Sequence, residues 1–302
     1  MHFVGNQKIF DFFNQAIDND QLSHAYCLVG PRQIGKATLV QNIAGKLLNL
    51  EINKLKSSPD YYFLQREINP KTEKLRKNIN IKQIRELKIR LGGKSWSGGY
   101  RVAIIDGAQY LNGGASNALL KVLEEGGDKL VFFLLTTNDN LLLSTVRSRC
   151  QLFYLALVHN KIIEEYLVQQ GCDLDKSQQI SQLALGLPGR AVELYQNKDL
   201  LLELETNRKK WQKISQLSLN EKLKLFPEVF NGKSVDKEKL LTFITDWQIV
   251  WRKALLNIVE KKLDQKVQKK VVTFLDFLSQ AKILLQQNVN PGLVLEEIML
   301  RC

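Results

Sequence analysis

Apolar residues in the first half of the chain occur in short runs separated by helical patterns. The run AYCLVG (25–30) ends in glycine and predicts a buried strand. A helix is predicted next, over 36–50, because Leu39, Ile43 and Leu47 share one face. The other predicted strands are 60–65, 101–108 and 129–139, and the helices between them are 79–93 and 116–125. Strands that alternate with helices predict an α/β fold, with a parallel sheet covered by helices on both faces.

The pattern changes after about residue 153, beyond which no strand pattern is convincing. Helices are predicted there at about 158–170, 174–185, 188–197, 199–215, 235–262 and 265–287, with a last one after the break at Asn290-Pro291-Gly292. The sequence therefore predicts three parts. They are an α/β domain over 1–155, a small helical lid over 156–203 and an all-α carboxyl-terminal domain over 204–302.

Length and composition are those of a globular protein. The 302 residues, 44% of them hydrophobic, are enough to bury sizeable cores. No run approaches the roughly 18 apolar residues that a membrane span needs, and the amino-terminal residues lack the layout of a signal peptide. We therefore expect a soluble, cytoplasmic protein with no membrane partner.

The cysteines are too far apart to suggest a shared site. They are Cys27, Cys150, Cys172 and Cys302, and no two of them form a C-x-x-C pair. Neither a zinc site nor a disulfide framework is indicated. We expect reduced thiols and no metal site built from cysteine.

Positive charge is concentrated in one stretch of the chain. The formal net charge is +12, and residues 66–101 hold eleven basic and three acidic residues. Concentrated positive charge suits a nucleic-acid partner, which it binds through the phosphates. The candidate DNA-contacting residues in this stretch are Lys82, Arg85, Lys88, Arg90 and Lys94. Long basic side chains on a solvated helix face are the alternative interpretation.

The segment LVGPRQIGKATLV (28–40) follows the phosphate-binding pattern G-x-x-x-x-G-K-[ST] at every fixed position but one. A glycine-rich loop between a strand and a helix presents backbone N–H groups to phosphates. Gly30 and Gly35 are the glycines of the pattern, and Lys36 supplies a positive charge. Ala37 stands where the pattern has a hydroxyl for Mg²⁺. A tight strand-to-helix turn without a ligand is the alternative.

The other parts of a phosphoryl-transfer site are incomplete. Asp106 ends the strand that should carry a metal-binding acid, but Gly107 follows it, so no carboxylate stands beside it to orient a water. Thr38 comes one residue late, which on a helix turns its hydroxyl about 100° away. These defects argue against efficient hydrolysis. The sequence leaves open whether the degenerate site still holds ATP or ADP with Mg²⁺.

Three segments, in this order, resemble a known family. The chain is similar to the bacterial clamp-loader ATPases of the AAA+ class, and within it to the delta-prime family of DNA polymerase III, in SHAYCLVGPRQIGK, GGYRVAIIDGAQYLNGGASNALLKVLEE and VFFLLTTNDNLLLSTVRSRCQLF. The similarity covers about 1–155 strongly, extends through GLPGRA (186–191) and returns weakly at 290–301. The Ser148-Arg149-Cys150 triplet is its most specific mark.

The resemblance implies an AAA+ domain with a helical lid, followed by a collar domain through which the subunits assemble. In the family, the position of Arg149 is an arginine finger that reaches the ATP bound by the neighbouring subunit. Thr137 and Asn138 match the first sensor of the γ-phosphate, and Arg190 matches the second sensor. Polar residues at a strand end or in the first turn of a helix also occur for turn chemistry alone.

The chain departs from the catalytic clamp-loader subunits in several ways. Their zinc module of four closely spaced cysteines is missing, and so are their loop hydroxyl and strand glutamate. The loss of the hydroxyl and the glutamate fits the delta-prime family, whose own nucleotide site is typically degenerate while its finger is kept. The resemblance therefore predicts that the scaffold remains and that the chemistry is supplied to another chain.

Three functions stay open on the sequence alone. The first is a clamp-loader subunit that assembles with the ATPase subunits and with delta, helps to open the sliding clamp and grips primed DNA. The second is an active ATPase of the same fold, in which Thr38 or the nucleotide geometry compensates for Ala37. The third is a nucleic-acid-binding module that uses residues 66–101 outside any clamp loader. Hydrolysis by the isolated chain separates the first two, and co-purification with a clamp loader separates both from the third.

Overall fold

The structure is a computed structural model that describes residues 3–125, 127, 129–204, 206, 237–260, 265–287 and 289–301. By its internal contacts, the chain divides into two units, Met1–Glu193 and Leu194–Cys302. Each unit contains a cluster of buried apolar side chains. No helix among the described residues is long and apolar enough to cross a membrane.

The first unit is built on a sheet of five parallel strands in the order β2-β3-β4-β1-β5. The strands are β1 (Ala25–Val29), β2 (Tyr61–Leu64), β3 (Arg101–Asp106), β4 (Leu130–Thr136) and β5 (Gln151–Tyr154). Val29, the last residue of β1, lies beside Thr136 of β4 and Tyr154 of β5. Because the strands are parallel, the segments that leave their carboxyl ends meet at one edge of the sheet.

Helices cover both faces of this sheet. The helices in this part of the chain are α1 (Gln7–Asp18), α2 (Lys36–Leu48), α3 (Ile81–Leu91), α4 (Gly113–Glu125), α5 (Ser144–Arg147), α6 (Asn160–Gln169), α7 (Leu174–Ala184) and α8 (Pro188–Gln196). Short 3₁₀ helices lie at Ile52–Ser57, Ala108–Tyr110 and Asp139–Leu141. On one face, Cys27 of β1 shares a buried cluster with residues of α3 and α4. On the other face, Tyr26 packs against Phe13 of α1, with ring centroids 4.9 Å apart. The predicted α/β fold with a parallel sheet is confirmed.

The second unit is helical in its described part. It contains α9 (Lys237–Glu260), α10 (Gln265–Gln286) and α11 (Pro291–Arg301). Trp247 is 1% exposed, and both it and Trp251 contact the ring of Phe274, with centroids 5.8 and 5.1 Å away. Aromatic pairs at these distances stabilise a core beyond the area that they bury. The two tryptophans therefore pack within this unit.

Three elements, α1, α5 and β5, are absent from the sequence-based prediction, and so are the 3₁₀ helices. The strand β5 lies at the edge of the sheet, and its apolar residues Leu152, Phe153 and Tyr154 carried a strand signal that the prediction did not use. The helix α1 did carry a signal, because Phe10, Phe13 and Ile17 recur at helical spacing. The helix predicted over 199–215 lies for the most part outside the described residues.

Candidate functional site

A cavity of about 420 Å³ opens at the carboxyl edge of the sheet, where the segments that follow β1, β3 and β4 meet. Its walls come from the phosphate loop, the start of α2, the ends of β3 and β4, and the first turn of α8. The lining residues are Arg32, Gln33, Gly35, Lys36, Ala37, Thr38, Gln65, Arg66, Leu75, Asp106, Gly107, Gln109, Tyr110, Leu135, Thr136, Thr137 and Gly189. Five of the residues predicted for nucleotide binding or sensing thus line the same cavity, namely Gly35, Lys36, Thr38, Asp106 and Thr137.

The phosphate loop is held at both ends. The N–H of Gly30 donates to the carbonyl of Thr136, 3.1 Å away, which fixes the start of the loop to β4. Gly35 directly precedes α2 with φ of 100°, a left-handed conformation that L side chains rarely adopt. Ile34 between them is fully buried and anchors the loop. The loop is therefore fixed to β4 where it starts and to the core through Ile34.

The ammonium group of Lys36 is used inside the loop. Its Nζ donates to the carbonyls of Gly30 and Pro31, at 2.7 and 2.8 Å. Burial lowers the pKa of Lys36 to about 8, with a further lowering by Arg32 and an opposing attraction from Asp106. The two carbonyls take two of the three N–H donors of this ammonium.

The described wall of the cavity contains one carboxylate, that of Asp106. Burial raises the pKa of Asp106, although Lys36 and Arg32 attract its charged form. Among the described residues that line the cavity, Asp106 is the only carboxylate, and no cluster of three metal-ligating side chains occurs in the described part of the chain. Ala37 lines the wall with a methyl group, and Thr38 brings the nearest hydroxyl one position late. Magnesium beside a nucleotide usually keeps several waters and takes one or two carboxylates besides the phosphates, and Asp106 is the one carboxylate that the described wall offers.

The backbone also opposes a second carboxylate beside Asp106. Gly107 has φ of 82°, and a Cβ added there would lie 2.9 Å from Cδ2 of Tyr110. A glutamate at this position would therefore be strained in its backbone and in contact with a ring. The backbone conformation at Gly107 thus disfavours a carboxylate beside Asp106, and a single substitution to glutamate would not restore a water-orienting acid.

Two arginines and a tyrosine form a cluster in the wall that the sequence analysis did not predict. Arg32 donates to the hydroxyl of Tyr110 at 2.7 Å, and the guanidinium of Arg66 lies over the Tyr110 ring, 3.8 Å from its centroid. Together with Lys36, they give the walls three cationic side chains against one carboxylate. Oε1 of Gln109 is also buried there without a hydrogen-bond partner. These charges fit a phosphate-bearing anion.

The predicted sensor residues are only partly brought to the cavity. Thr137 lines it, but the side chain of Asn138 accepts from the N–H of Asn140, 2.9 Å away, and caps the following 3₁₀ helix. Arg190 lies in the first turn of α8 and is not among the lining residues, whereas its neighbour Gly189 is. Asn138 therefore has a structural role in this conformation.

Gly189 lets α8 approach the phosphate loop closely. Its N–H donates to the carbonyl of Gln33 at 2.8 Å, and a Cβ added to it would lie 2.8 Å from that same oxygen. The side chain of Gln33 also donates to Glu193 of α8, at 2.6 Å. Only a glycine at this position allows the first turn of α8 to close one side of the cavity without displacing the loop.

Arg149, the predicted finger, lies outside the cavity of its own chain. It follows α5, and its guanidinium is 2.6 Å from Oε1 of Glu124 at the end of α4, with a second bond to the carbonyl of Thr145 at 2.9 Å. The side chains of Arg149 and Glu124 are 38% and 52% exposed. An exposed ion pair of this kind is worth about 0–1 kcal/mol, so Arg149 can exchange its partner at low cost.

The residues around Arg149 are fixed far more firmly. Nε of Arg147 is 3.0 Å from the carboxylate of Asp139, whose side chain is only 10% exposed, and Tyr154 donates to the same carboxylate at 3.1 Å. The thiol of Cys150 donates to the carbonyl of Val146, and burial raises its pKa to about 11. The segment is therefore anchored on both sides of a side chain that points outward.

The predicted DNA-contacting residues lie on α3 and just after it. The helix begins with a capping box in which Asn80 and Gln83 bond each other's backbone N–H groups. Lys88 pairs with Glu125 at 2.6 Å, and Arg90 lies 5.4 Å from the ring centroid of Tyr62. The remaining members of the set, which make no ion pair with any described residue, are Lys82, Arg85 and Lys94.

Comparison with protein families finds a match over residues 5–159. The matching model is that of the DNA polymerase III delta subunit. It spans the phosphate loop, the strand end at Asp106 and the segment that carries Arg149. The match therefore covers all five strands of the sheet and both parts of the candidate site.

Individual relatives agree with this match. DNA polymerase III subunit delta-prime of Pseudomonas aeruginosa is 26% identical, over 93% of this chain and 92% of that protein. The Escherichia coli delta-prime subunit is 34% identical over 46% of this chain and 40% of its own length. Among solved structures, a DNA polymerase III gamma subunit-related protein from Thermotoga maritima covers 95% of this chain and 97% of its own, with 19% identity and a TM-score of 0.52. This last likeness concerns the fold.

We predict that Gly189→Ala destabilises the first unit by about 1–3 kcal/mol, because the added methyl would overpack against the backbone of Gln33. Urea unfolding followed by circular dichroism measures the change. Gly113→Ala is the matched control, since a Cβ there meets nothing within 4 Å and alanine favours the helix α4. Equal stabilities of the two variants would show that α8 does not depend on close contact with the loop.

Proposed function

This chain belongs to the DNA polymerase III delta subunit family, and we propose that it is a delta-prime-like clamp-loader subunit that completes the ATP site of a neighbouring chain without hydrolysing ATP itself. The first part rests on the match over residues 5–159 and on the delta-prime relatives. The second part, that the chain completes a neighbour's ATP site and does not hydrolyse ATP itself, is our proposal. The observation that carries it is the outward, weakly paired Arg149, in a chain whose own pocket has Ala37 in place of the loop hydroxyl.

The state of the chain's own pocket supports the inactive assignment. A hydrolase needs a held metal and an oriented water, and here one carboxylate with a raised pKa stands next to a glycine in a left-handed conformation. The cavity retains the charge to hold a nucleotide's phosphates through Lys36, Arg32 and Arg66. We therefore propose that a nucleotide bound at this site would have a structural role.

The chemistry of arginine supports a role in trans for Arg149. A guanidinium is always charged and presents a planar fork of donors, so it can neutralise the charge on a phosphoryl group during transfer. Arg149 does not line its own cavity, and its partner Glu124 is exposed. Exchange of a solvated carboxylate for a phosphate of the next subunit therefore leaves no buried charge unpaired.

The assembly that we propose contains ATPase subunits, the delta subunit, a sliding clamp and primed DNA, and it works in the cytoplasm, where bacterial DNA is replicated. The division into an α/β domain (1–155), a lid (156–203) and a collar (204–302) stays a prediction. In this proposal the collar joins the subunits. The long helices α9 and α10, with their shared aromatic core, suit such a scaffold.

An active ATPase is the second candidate. The observation that favours it is that Thr38 lines the cavity, so a hydroxyl is present in the wall. It would still need a second acid, for which Gly107 leaves no room. The isolated chain distinguishes the two candidates.

We predict that the isolated chain hydrolyses ATP negligibly in a steady-state assay, because Ala37 cannot hold a metal and Gly107 cannot orient a water. Ala37→Thr, which restores the loop hydroxyl alone, should leave turnover negligible. Turnover comparable to that of a clamp-loader ATPase, and abolished by Lys36→Ala, would establish the active alternative instead.

We predict that Arg149→Ala in the reconstituted assembly leaves the complex intact but abolishes clamp loading. ATP turnover should fall at one site only. A finger contributes roughly 10³ to 10⁵ in rate in GTPases, but a loader has several ATP sites, so the total turnover should fall less. Stopped-flow clamp loading and steady-state ATP hydrolysis measure the two effects.

Two control variants isolate the role of the guanidinium. Arg149→Lys keeps the charge and loses the fork, so it should remain defective. Glu124→Gln removes the partner within the chain and keeps Arg149, so loading should continue. If Arg149→Ala assembles and loads clamps at the unmodified rate, the Ser148-Arg149-Cys150 triplet has no catalytic role and the proposal is wrong.

We predict that joint reversal of Lys82, Arg85 and Lys94 to glutamate weakens DNA binding by the assembly. The three cations have no acidic partner among the described residues, so they are available for phosphates. Each lost phosphate contact should reduce the slope of log affinity against log salt by about 0.9 on duplex DNA. Titrations at several salt concentrations measure both quantities.

The matched control reverses three exposed lysines elsewhere on the first unit, namely Lys8, Lys56 and Lys161. This variant carries the same change in net charge. It should bind DNA with an unchanged salt slope. Equal effects of the two triple variants would mean that DNA responds to the net charge of the chain and that α3 makes no specific contact.

A further inference from the structure

The loop that joins α3 to β3, residues 92–100, is held by two buried charged residues. It lies at the amino-terminal edge of the sheet, opposite the cavity. Arg101, 8% exposed, donates to the carbonyls of Leu91 and Gly93 at the beginning of the loop. Asp60, 3% exposed and just before β2, binds the middle of the loop.

Asp60 accepts four hydrogen bonds from three consecutive loop residues. Its Oδ1 accepts from the N–H of Trp96 at 3.0 Å. Its Oδ2 accepts from the hydroxyl of Ser95, and from both the N–H and the hydroxyl of Ser97, at 2.9 to 3.0 Å. Burial alone would raise the pKa of Asp60, but these bonds hold it below its ordinary value. The carboxylate is therefore charged and fully engaged in fixing the loop.

The side chain that this anchoring presents is Trp96, which is 85% exposed. Burial of a charge is costly unless hydrogen bonds compensate for it. Here the buried charges of Asp60 and Arg101 fix a loop whose central side chain, Trp96, does not pack into the core. An exposed tryptophan leaves a large apolar surface in water. The anchored loop backbone therefore presents an aromatic ring to solvent, as expected of a recognition residue.

We propose that Trp96 stacks on a base of single-stranded DNA, with the phosphates of that strand bound by the neighbouring basic residues of α3 and Lys94. A tryptophan face stacks on any base, and flanking cations follow the backbone, which is how single strands are bound without sequence preference. This proposal deepens the DNA contacts proposed above and does not depend on the role of Arg149.

The surroundings of Trp96 favour DNA over a protein partner. A protein hot spot is enclosed by further apolar contacts that exclude water. The residues on either side of Trp96 in the sequence are Lys94, Ser95, Ser97 and Gly98, none of which has a large apolar side chain. The segment 66–101 carries eleven basic and three acidic residues, which complement a phosphate backbone.

The test compares a fluorescent oligothymidine with an abasic strand of the same length, in anisotropy titrations of the full chain at low ionic strength. The unmodified chain should bind the oligothymidine more tightly than the abasic strand. Trp96→Ala should lower affinity for oligothymidine on the order of 10-fold and leave affinity for the abasic strand unchanged. Its salt slope should not change, because no charge has been removed.

Two variants serve as controls. Trp96→Phe keeps an aromatic face and should restore most of the preference for the strand with bases. Ile89→Ala removes an apolar side chain of α3 that is 82% exposed, and should leave DNA binding unchanged.

Equal affinities of the unmodified chain for the two strands, or an unchanged affinity of Trp96→Ala for oligothymidine, would overturn the proposal. Loss of assembly with other subunits in both Trp96→Ala and Ile89→Ala, with DNA binding intact, would also overturn it and would assign the surface to a protein partner. None of these outcomes bears on the ATPase assays of Arg149, so the two proposals fail separately.

Discussion

The pairing of β1 between β4 and β5 is the constraint on which both parts of the candidate site depend. Val29, at the end of β1, lies beside Thr136 and Tyr154. This register starts the loop that follows β1 next to the end of β4, and the pairing of Tyr26 with Gln151 fixes the residue that follows the segment carrying Arg149. A shift of β1 by one residue would send its side chains to the opposite faces of the sheet and would separate these segments. The cavity and the predicted finger are therefore two products of the same three strands.

Burial decides which charged groups can act on a partner and which only hold the fold. Arg147 and Arg149 are two residues apart, yet the first faces a nearly buried carboxylate and the second an exposed one. Loss of the first contact would leave the nearly buried carboxylate of Asp139 without its cation, with the hydroxyl of Tyr154 still donating to it, whereas loss of the second leaves a solvated glutamate. The same distinction applies on the opposite edge, where the buried Asp60 holds a loop and the exposed Lys94 remains available.

The two edges of the sheet have different charge environments. At the carboxyl edge, three cationic side chains and one carboxylate surround the cavity, and the backbone at Gly107 excludes a further acid. At the amino-terminal edge, buried charges support an exposed aromatic ring among basic residues. One sheet thus carries a phosphate-type pocket and a basic surface at its two ends, which suits a subunit that meets other chains and nucleic acid together.

The sequence by itself determined the α/β class, four of the five strands and the family, because apolar periodicity and short motifs depend on residues close together along the chain. It missed β5, although Leu152, Phe153 and Tyr154 form an apolar run. It could not predict the Arg32, Tyr110 and Arg66 cluster or the link from Gly189 to Gln33, since their members are far apart in sequence. It grouped Asn138 with the sensors, whereas the structure uses that side chain as a cap. Only the tertiary structure could assign partners to equivalent charges, because the strength of an ion pair depends on its burial, and burial is a property of the packed chain.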